Sequence, residues 1–216
     1  MNNKAPLIPM EDFMRNPEKS SFQISPSGNY IAFMKPWKTR MNVFVMDMTT
    51  KIEKRLTASD ARGIYGFTWL TNNRIGYVKD DGGDENMHFY AVNIDGTNEI
   101  DLTPFENIQA RIIDDLEDDP NSVIIGLNKR NPQIHDPYRL NINDGKIEMI
   151  AENPGNISSW GTDHNGKLRI AATSDGVNTS ILYRNKESDN FETILTTDFK
   201  VSVLPLFFTF DNKNLY

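Results

Sequence analysis

The side chains best suited to proton transfer in this sequence are three histidines, His88, His135 and His164. A histidine acts as a general base when a serine nucleophile and an orienting carboxylate stand within reach. In hydrolases the serine sits on a strained elbow written Gly-x-Ser-x-Gly. No such segment occurs here. His88 falls inside a strand-like run, His164 in a turn, and His135 at a loop end before Asp136. The sequence assigns no catalytic residue and reads the three histidines as surface or turn residues.

Metal ligation would need carboxylates in a set spacing. Asp80, Asp81, Asp84 and Glu85 crowd a loop that also holds Gly82 and Gly83, and Asp114, Asp115, Glu117, Asp118 and Asp119 form a second acidic run. Neither alternates oxygen ligands toward a distal Glu as a calcium loop does. Solvated charge accounts for both, so no metal or cofactor is expected. No glycine-rich loop opens a helix to cradle phosphate. Lys129 and Arg130 make the stretch 128–133 basic. That stretch reads as a solvated loop, with Arg130 also a candidate contact for a substrate carboxylate or a partner domain.

The elements that must carry these side chains are repeats. Residues 22–34, FQISPSGNYIAFM, place an apolar run, a Ser-Pro-Ser-Gly-Asn turn and a second apolar run in order. The design returns at 67–78, 113–127, 160–173 and 208–216. Aligned on Tyr30, Ile75, Val123, Leu168 and Leu215, the copies are 45, 48, 45 and 47 residues apart. Leu56-Thr57, Leu102-Thr103, Ile150-Ala151 and Leu195-Thr196 close the repeats, 46, 48 and 45 residues apart. Two landmarks with one period of about 40–50 residues, each built of short strands, read as propeller blades. Gly28, Gly96, Gly145 and Gly166 fall at turns. Phe22, Phe67, Trp69 and Trp160 recur at repeat positions and read as blade packing.

The expected fold is therefore all-β: a propeller fragment of four four-stranded blades plus the start of a fifth. The blades are expected at about 22–57, 67–103, 112–151 and 157–196, with the next begun at 204–216. Residues 1–21 precede them. Pro9, Glu11 and Asp12 favour a short helix there, stopped at Asn16-Pro17 and laid on the first blade. A half-built blade leaves open strand edges, so the sequence reads as a piece of a longer polypeptide, apt to pair edge to edge with another copy.

Composition narrows the partners. Net charge is −7, which opposes a nucleic-acid footprint, and cysteine is absent, which excludes disulfides. The most apolar run, 201–210, is about half a membrane span and contains Pro205. The first residues lack the continuous apolar core of an export signal. A soluble, cytoplasmic chain is expected, or a periplasmic one if a leader had been removed.

Several segments carry a resemblance. The turn Ser25-Pro26-Ser27-Gly28-Asn29 with Tyr30-Ile31-Ala32-Phe33 resembles the Ser-Pro-Asp-Gly turn of TolB-type and peptidase propellers. DDGGDENMHFY at 80–90, NKRNPQIHDPY at 128–138 and ENPGN at 152–156 are similar to segments of one family. Over almost its whole length the chain resembles the N-terminal β-propeller of the prolyl oligopeptidase family of serine peptidases, of the bacterial dipeptidyl aminopeptidase and acylaminoacyl peptidase type. The resemblance implies a propeller that caps an α/β-hydrolase domain. It also implies an oligopeptide substrate admitted between the two, and acyl transfer through a serine ester. None of the triad maps onto these residues. In the dipeptidyl peptidase IV branch a Glu-Glu pair of the propeller holds the substrate's free amine. No Glu-Glu occurs here. Asp84-Glu85 is the nearest acidic pair and is kept as a candidate substrate contact without that role. The alternative is a non-enzymatic TolB-like or WD-like interaction module; a propeller glycosidase or lectin ranks last.

Overall fold

The structure, a computed structural model, describes residues 7–15, 17–80 and 82–216. Sixteen strands form four separate four-stranded sheets, and each sheet is a plain antiparallel meander in chain order. The first holds β1 (Ser20–Ile24), β2 (Tyr30–Trp37), β3 (Arg40–Asp47) and β4 (Glu53–Arg55). The second holds β5 (Gly66–Thr71), β6 (Arg74–Lys79), β7 (His88–Asn93) and β8 (Ile100–Asp101). The third holds β9 (Ala110–Asp114), β10 (Ser122–Asn131), β11 (Ile134–Asn141) and β12 (Ile147–Met149). The fourth holds β13 (Ile157–Thr162), β14 (Leu168–Ser174), β15 (Asn178–Tyr183) and β16 (Glu192–Asp198). These are the propeller blades that the repeats predict. The next repeat is a single bridge, Phe208 to Leu215, around a turn at Asp211.

The second strand of each sheet lies between neighbours on both edges and both faces. Its residues are accordingly apolar in runs: Val123–Leu127 in β10 and Leu168, Ile170, Ala171 and Ala172 in β14 are buried. One core joins Leu70, Phe89 and Leu102 of the second blade to Val123, Ile125 and Leu140 of the third. Another joins Ala32 and Val45 of the first blade to Trp69, Ile75 and Tyr77 of the second. Across the blade boundary β9 packs on β13, which places the first strands of the third and fourth blades innermost.

The Leu-Thr landmark has a physical meaning. Leu56 and Leu102 fill the blade interior, and the Thr57 and Thr103 hydroxyls accept the backbone N–H of Val43 at 3.0 Å and of Phe89 at 2.8 Å. In the third blade Ala151 has no hydroxyl. The matching third-strand residue there is Pro137, which has no N–H to cap, and beside it Asp136 accepts the Asn153 N–H at 2.8 Å. In the fourth the landmark slips: Leu195 and Thr196 lie inside β16, with Leu195 exposed. Turns latch blade to blade. The Ser27 N–H donates to Asn72 Oδ1 at 2.6 Å, and the His164 N–H to Asn212 Oδ1 at 2.9 Å.

Four expectations change. The stretch 128–133 is no loop: β10 runs through Arg130 to Asn131 and only Pro132 and Gln133 turn. His135 likewise lies in β11, because the strand must reach back to bury Asp136. The short helix α1 (Met10–Met14) forms with Pro9 at its cap, but none of its residues is buried, so it does not lie on the first blade. Phe22 is exposed, touching only the edge of the packing through the Phe33 ring. Asn16 and Asp81 lie outside the described residues.

Candidate functional site

Because the strands alternate in direction, the loops segregate to two faces. The β1–β2, β5–β6, β9–β10 and β13–β14 turns share one face. The β2–β3, β6–β7, β10–β11 and β14–β15 loops share the other, with the links between blades. Asp84, Glu85 and Arg130 therefore all belong to the second face. The acidic run after β9 belongs to the first.

On the second face the 80–87 loop is anchored at both ends. Asp80 is buried, and its Oδ2 lies 3.9 Å from Arg62 Nε and accepts the Tyr65 hydroxyl at 3.5 Å. Gly83 has φ +92°, and the Arg62 guanidinium occupies the space its side chain would need. The positive φ favours glycine there. Asp84 accepts from the backbone and side-chain amides of Asn86, at 3.0 and 2.9 Å. Glu85 is exposed with φ +61°, and its carbonyl accepts from Gln109 Nε2 at 3.4 Å. The Met87 carbonyl accepts the Ala110 N–H at 2.7 Å. These bonds hold the Asp84-Glu85 tip beside the start of β9, the innermost strand of the third blade.

Arg130 has different work. Its Nε and Nη2 clamp both oxygens of fully buried Asp136 at 2.9 and 3.0 Å, and Nη2 also reaches the Asn153 carbonyl at 2.8 Å. Nη1 lies 3.4 Å from Glu152. The bidentate fork locks β10, β11 and the link to the fourth blade, as a buried carboxylate requires. The Arg130 pKa is raised, first by the Asp136 hydrogen bonds.

Each histidine is placed. His88 Nδ1 pairs with Asp101 Oδ2 at 2.7 Å across β7 and β8. His164 Nε2 faces the Phe208 carbonyl at 3.0 Å, with its ring stacked on Phe210. His135 walls a cavity of about 440 Å³ between the third and fourth blades, together with Arg111, Gly126 and Trp160. Among the described residues none of the three bonds a serine hydroxyl, and no three His, Asp or Glu side chains converge on a metal position. Sequence reasoning missed Arg111. It stands in an ordinary alternating strand, and only the neighbouring blade makes its surroundings concave.

No family model matches the chain. It is 30% identical over 221 residues to dipeptidyl aminopeptidase BIII of Pseudoxanthomonas mexicana, covering 97% of this chain and 31% of that protein. It is 24% identical to dipeptidyl peptidase family member 6 of Caenorhabditis elegans, over 96% of this chain and 30% of that one. The chain thus spans about a third of the length of the curated relatives it matches. Among solved structures, an oligogalacturonate lyase in complex with manganese superposes with TM-score 0.67 at 12% identity, over 93% of this chain and 62% of that one. TolB from Acinetobacter baumannii superposes with TM-score 0.55 at 13% identity, over 82% and 43%. Porphyromonas gingivalis dipeptidyl peptidase 4 gives TM-score 0.55 at 13% identity, over 83% and 33%. At such identities the structures establish the fold alone, and the sequence relatives choose among its branches. Over the stretch that it spans, the chain is a run of propeller blades similar to about a third of a dipeptidyl aminopeptidase and of a dipeptidyl peptidase family member.

Proposed function

We propose that this chain is the gating and substrate-selecting propeller of a serine peptidase that cleaves oligopeptides, whose α/β-hydrolase domain is supplied by sequence outside these 216 residues. One observation carries the reading: the match to a dipeptidyl aminopeptidase runs through 97% of this chain yet fills 31% of that protein. Exposed carboxylates at the Asp84-Glu85 tip and the Arg130 region share one loop face beside the innermost strands. A peptide entering from that face would meet them first. Glu85→Gln in the whole polypeptide is expected to raise KM for peptide substrates. The exposed apolar edges of the first and fourth blades further suit self-association when this chain stands alone.

The coding sequence beyond Tyr216 tests the reading. Continuation through further repeats into a Gly-x-Ser-x-Gly segment is expected. The whole polypeptide should then release dipeptides from a chromogenic substrate and lose that activity when the serine becomes alanine. A stop codon within the next blade, or a full-length product without peptidase activity, would instead make the chain an interaction module of the TolB type.

A further inference from the structure

A cleft runs between the innermost strands of the third and fourth blades, and its two ends differ in charge. At the turn face a cavity of about 610 Å³ is lined by Asp114, Asp115, Glu117, Asp118 and Asp163. At the opposite end lies the cavity of about 440 Å³ lined by Arg111 and His135. Ile113, Ser159 and Trp160 belong to both, so the two are continuous along β9 and β13. Arg111 and Asp114 are three steps apart along β9, roughly 10 Å at strand rise.

The Arg111 end is built to hold something. Arg111 is exposed toward the cavity and has no ion pair or hydrogen bond among the described residues. This sets it apart from Arg130, Arg139 and Arg169, whose guanidinium groups are each paired with a carboxylate. Across the sheet Arg111 faces Gly126, and a side chain there would abut Ile113 and His135. The missing side chain is the floor of the cavity. Trp160 and Ile157 of the fourth blade supply an apolar wall. Gln133 adds an amide at the rim. The His135 ring closes the same side. Burial and then the Arg111 charge lower its pKa, so at neutral pH it is uncharged and Arg111 is the one cation among the described residues of this wall.

A single guanidinium in a concave, half-apolar site matches a planar carboxylate, which its fork can hold bidentately. A phosphate would bring more charge than one cation balances, against a cleft whose far end is acidic. We propose that the cavity beside Arg111 binds a carboxylate of a peptide, with the Arg111 guanidinium as its counter-charge and Gly126 leaving the room. The peptide context rests on the function proposed above; the anion site itself rests on the cavity. The carboxylate is either an acidic side chain or a free C-terminus.

Calorimetric titration of the chain with three peptides tests this: acetyl-Ala-Ala-Glu-Ala-amide, acetyl-tetraalanine with a free carboxylate, and acetyl-tetraalanine-amide. At least one carboxylate peptide is expected to bind tenfold or more tighter than the amide, and the one that does identifies the source. Arg111→Gln should abolish that preference and Arg111→Lys should keep part of it. Gly126→Leu should block binding by filling the floor. Arg111 is exposed, so its variants should melt as the parent does. Equal binding of all three peptides, no binding at millimolar concentration, or a preference that survives Arg111→Gln would overturn the site. The assay reads no hydrolysis, so its failure leaves the peptidase reading standing, and an inactive whole polypeptide leaves the site standing.

Discussion

His135 illustrates how a blade boundary alters a side chain that looks ordinary in sequence. Burial disfavours its charged form, Arg111 disfavours it further, and Asp136 acts weakly the other way. The folded pKa therefore lies below the unfolded value of about 6.5. At pH above 6.5 neither state is protonated and the folded state keeps its full stability. As pH falls below 6.5 the unfolded chain takes the proton first, and this contribution is lost through the folded pKa. Melting temperature is expected to drop between pH 7 and 5, and His135→Gln should flatten part of that slope. A His135 titration by NMR centred above 6.5 would refute the argument. Two threonines give a sharper contrast. Thr103 is buried and accepts the Phe89 N–H, so Thr103→Val strands a buried donor and should cost about 1–3 kcal/mol. Thr197 Oγ1 is buried with no partner among the described residues, so Thr197→Val should be neutral or stabilising. Urea denaturation of the pair decides it; equal losses would contradict the hydrogen-bond account.

At the scale of elements, much was legible because it is local. Turn chemistry at Gly28, Gly96 and Gly166, each with positive φ, fixed where hairpins fall. In the first two blades the Leu-Thr landmark marks a hydroxyl that caps the third strand. What the sequence hid depends on neighbours. Arg130 and His135 looked like loop residues because a polar run resembles a turn; they extend strands only because Asp136 is buried and needs the Arg130 fork. Arg111 drew no attention, since a cation in a strand becomes a candidate site only when a second blade walls it in. Of the candidate contacts, Asp84 and Glu85 do reach an exposed tip near an innermost strand, while Arg130 is occupied within its own blade. Gly76 gives an element-scale prediction. It sits mid-strand in β6, where an added Cβ would lie 2.5 Å from the Phe89 ring and 3.1 Å from Leu70. Phe89 is fully buried and cannot swing outward. Gly76→Ala should overpack the second blade and cost about 1–3 kcal/mol, although alanine relieves backbone entropy in a strand. A variant as stable as the parent would mean that the second and third blades pack more loosely than this core implies.

The whole molecule is an arc of blades with two unlike ends. At one, β1 exposes Phe22 and Ile24. At the other, Ile194 and Leu195 of β16 and then Leu206, Phe207 and Phe210 face outward. Apolar surface of this extent on a small chain invites association, and exposed strand edges template it. Unlike ends favour head-to-tail contacts, which grow into rings or open chains in place of closed two-fold dimers. Net charge of −7 opposes the approach of copies, so salt should strengthen it by screening. Light scattering after size exclusion is expected to give a mass above 24.7 kDa that rises with concentration and with salt. Phe207→Glu with Phe210→Glu, both at exposed positions, should return the chain to monomer. A constant monomer mass across micromolar concentrations, with a cooperative melt, would show that these edges are tolerated in isolation and that association is no property of the arc.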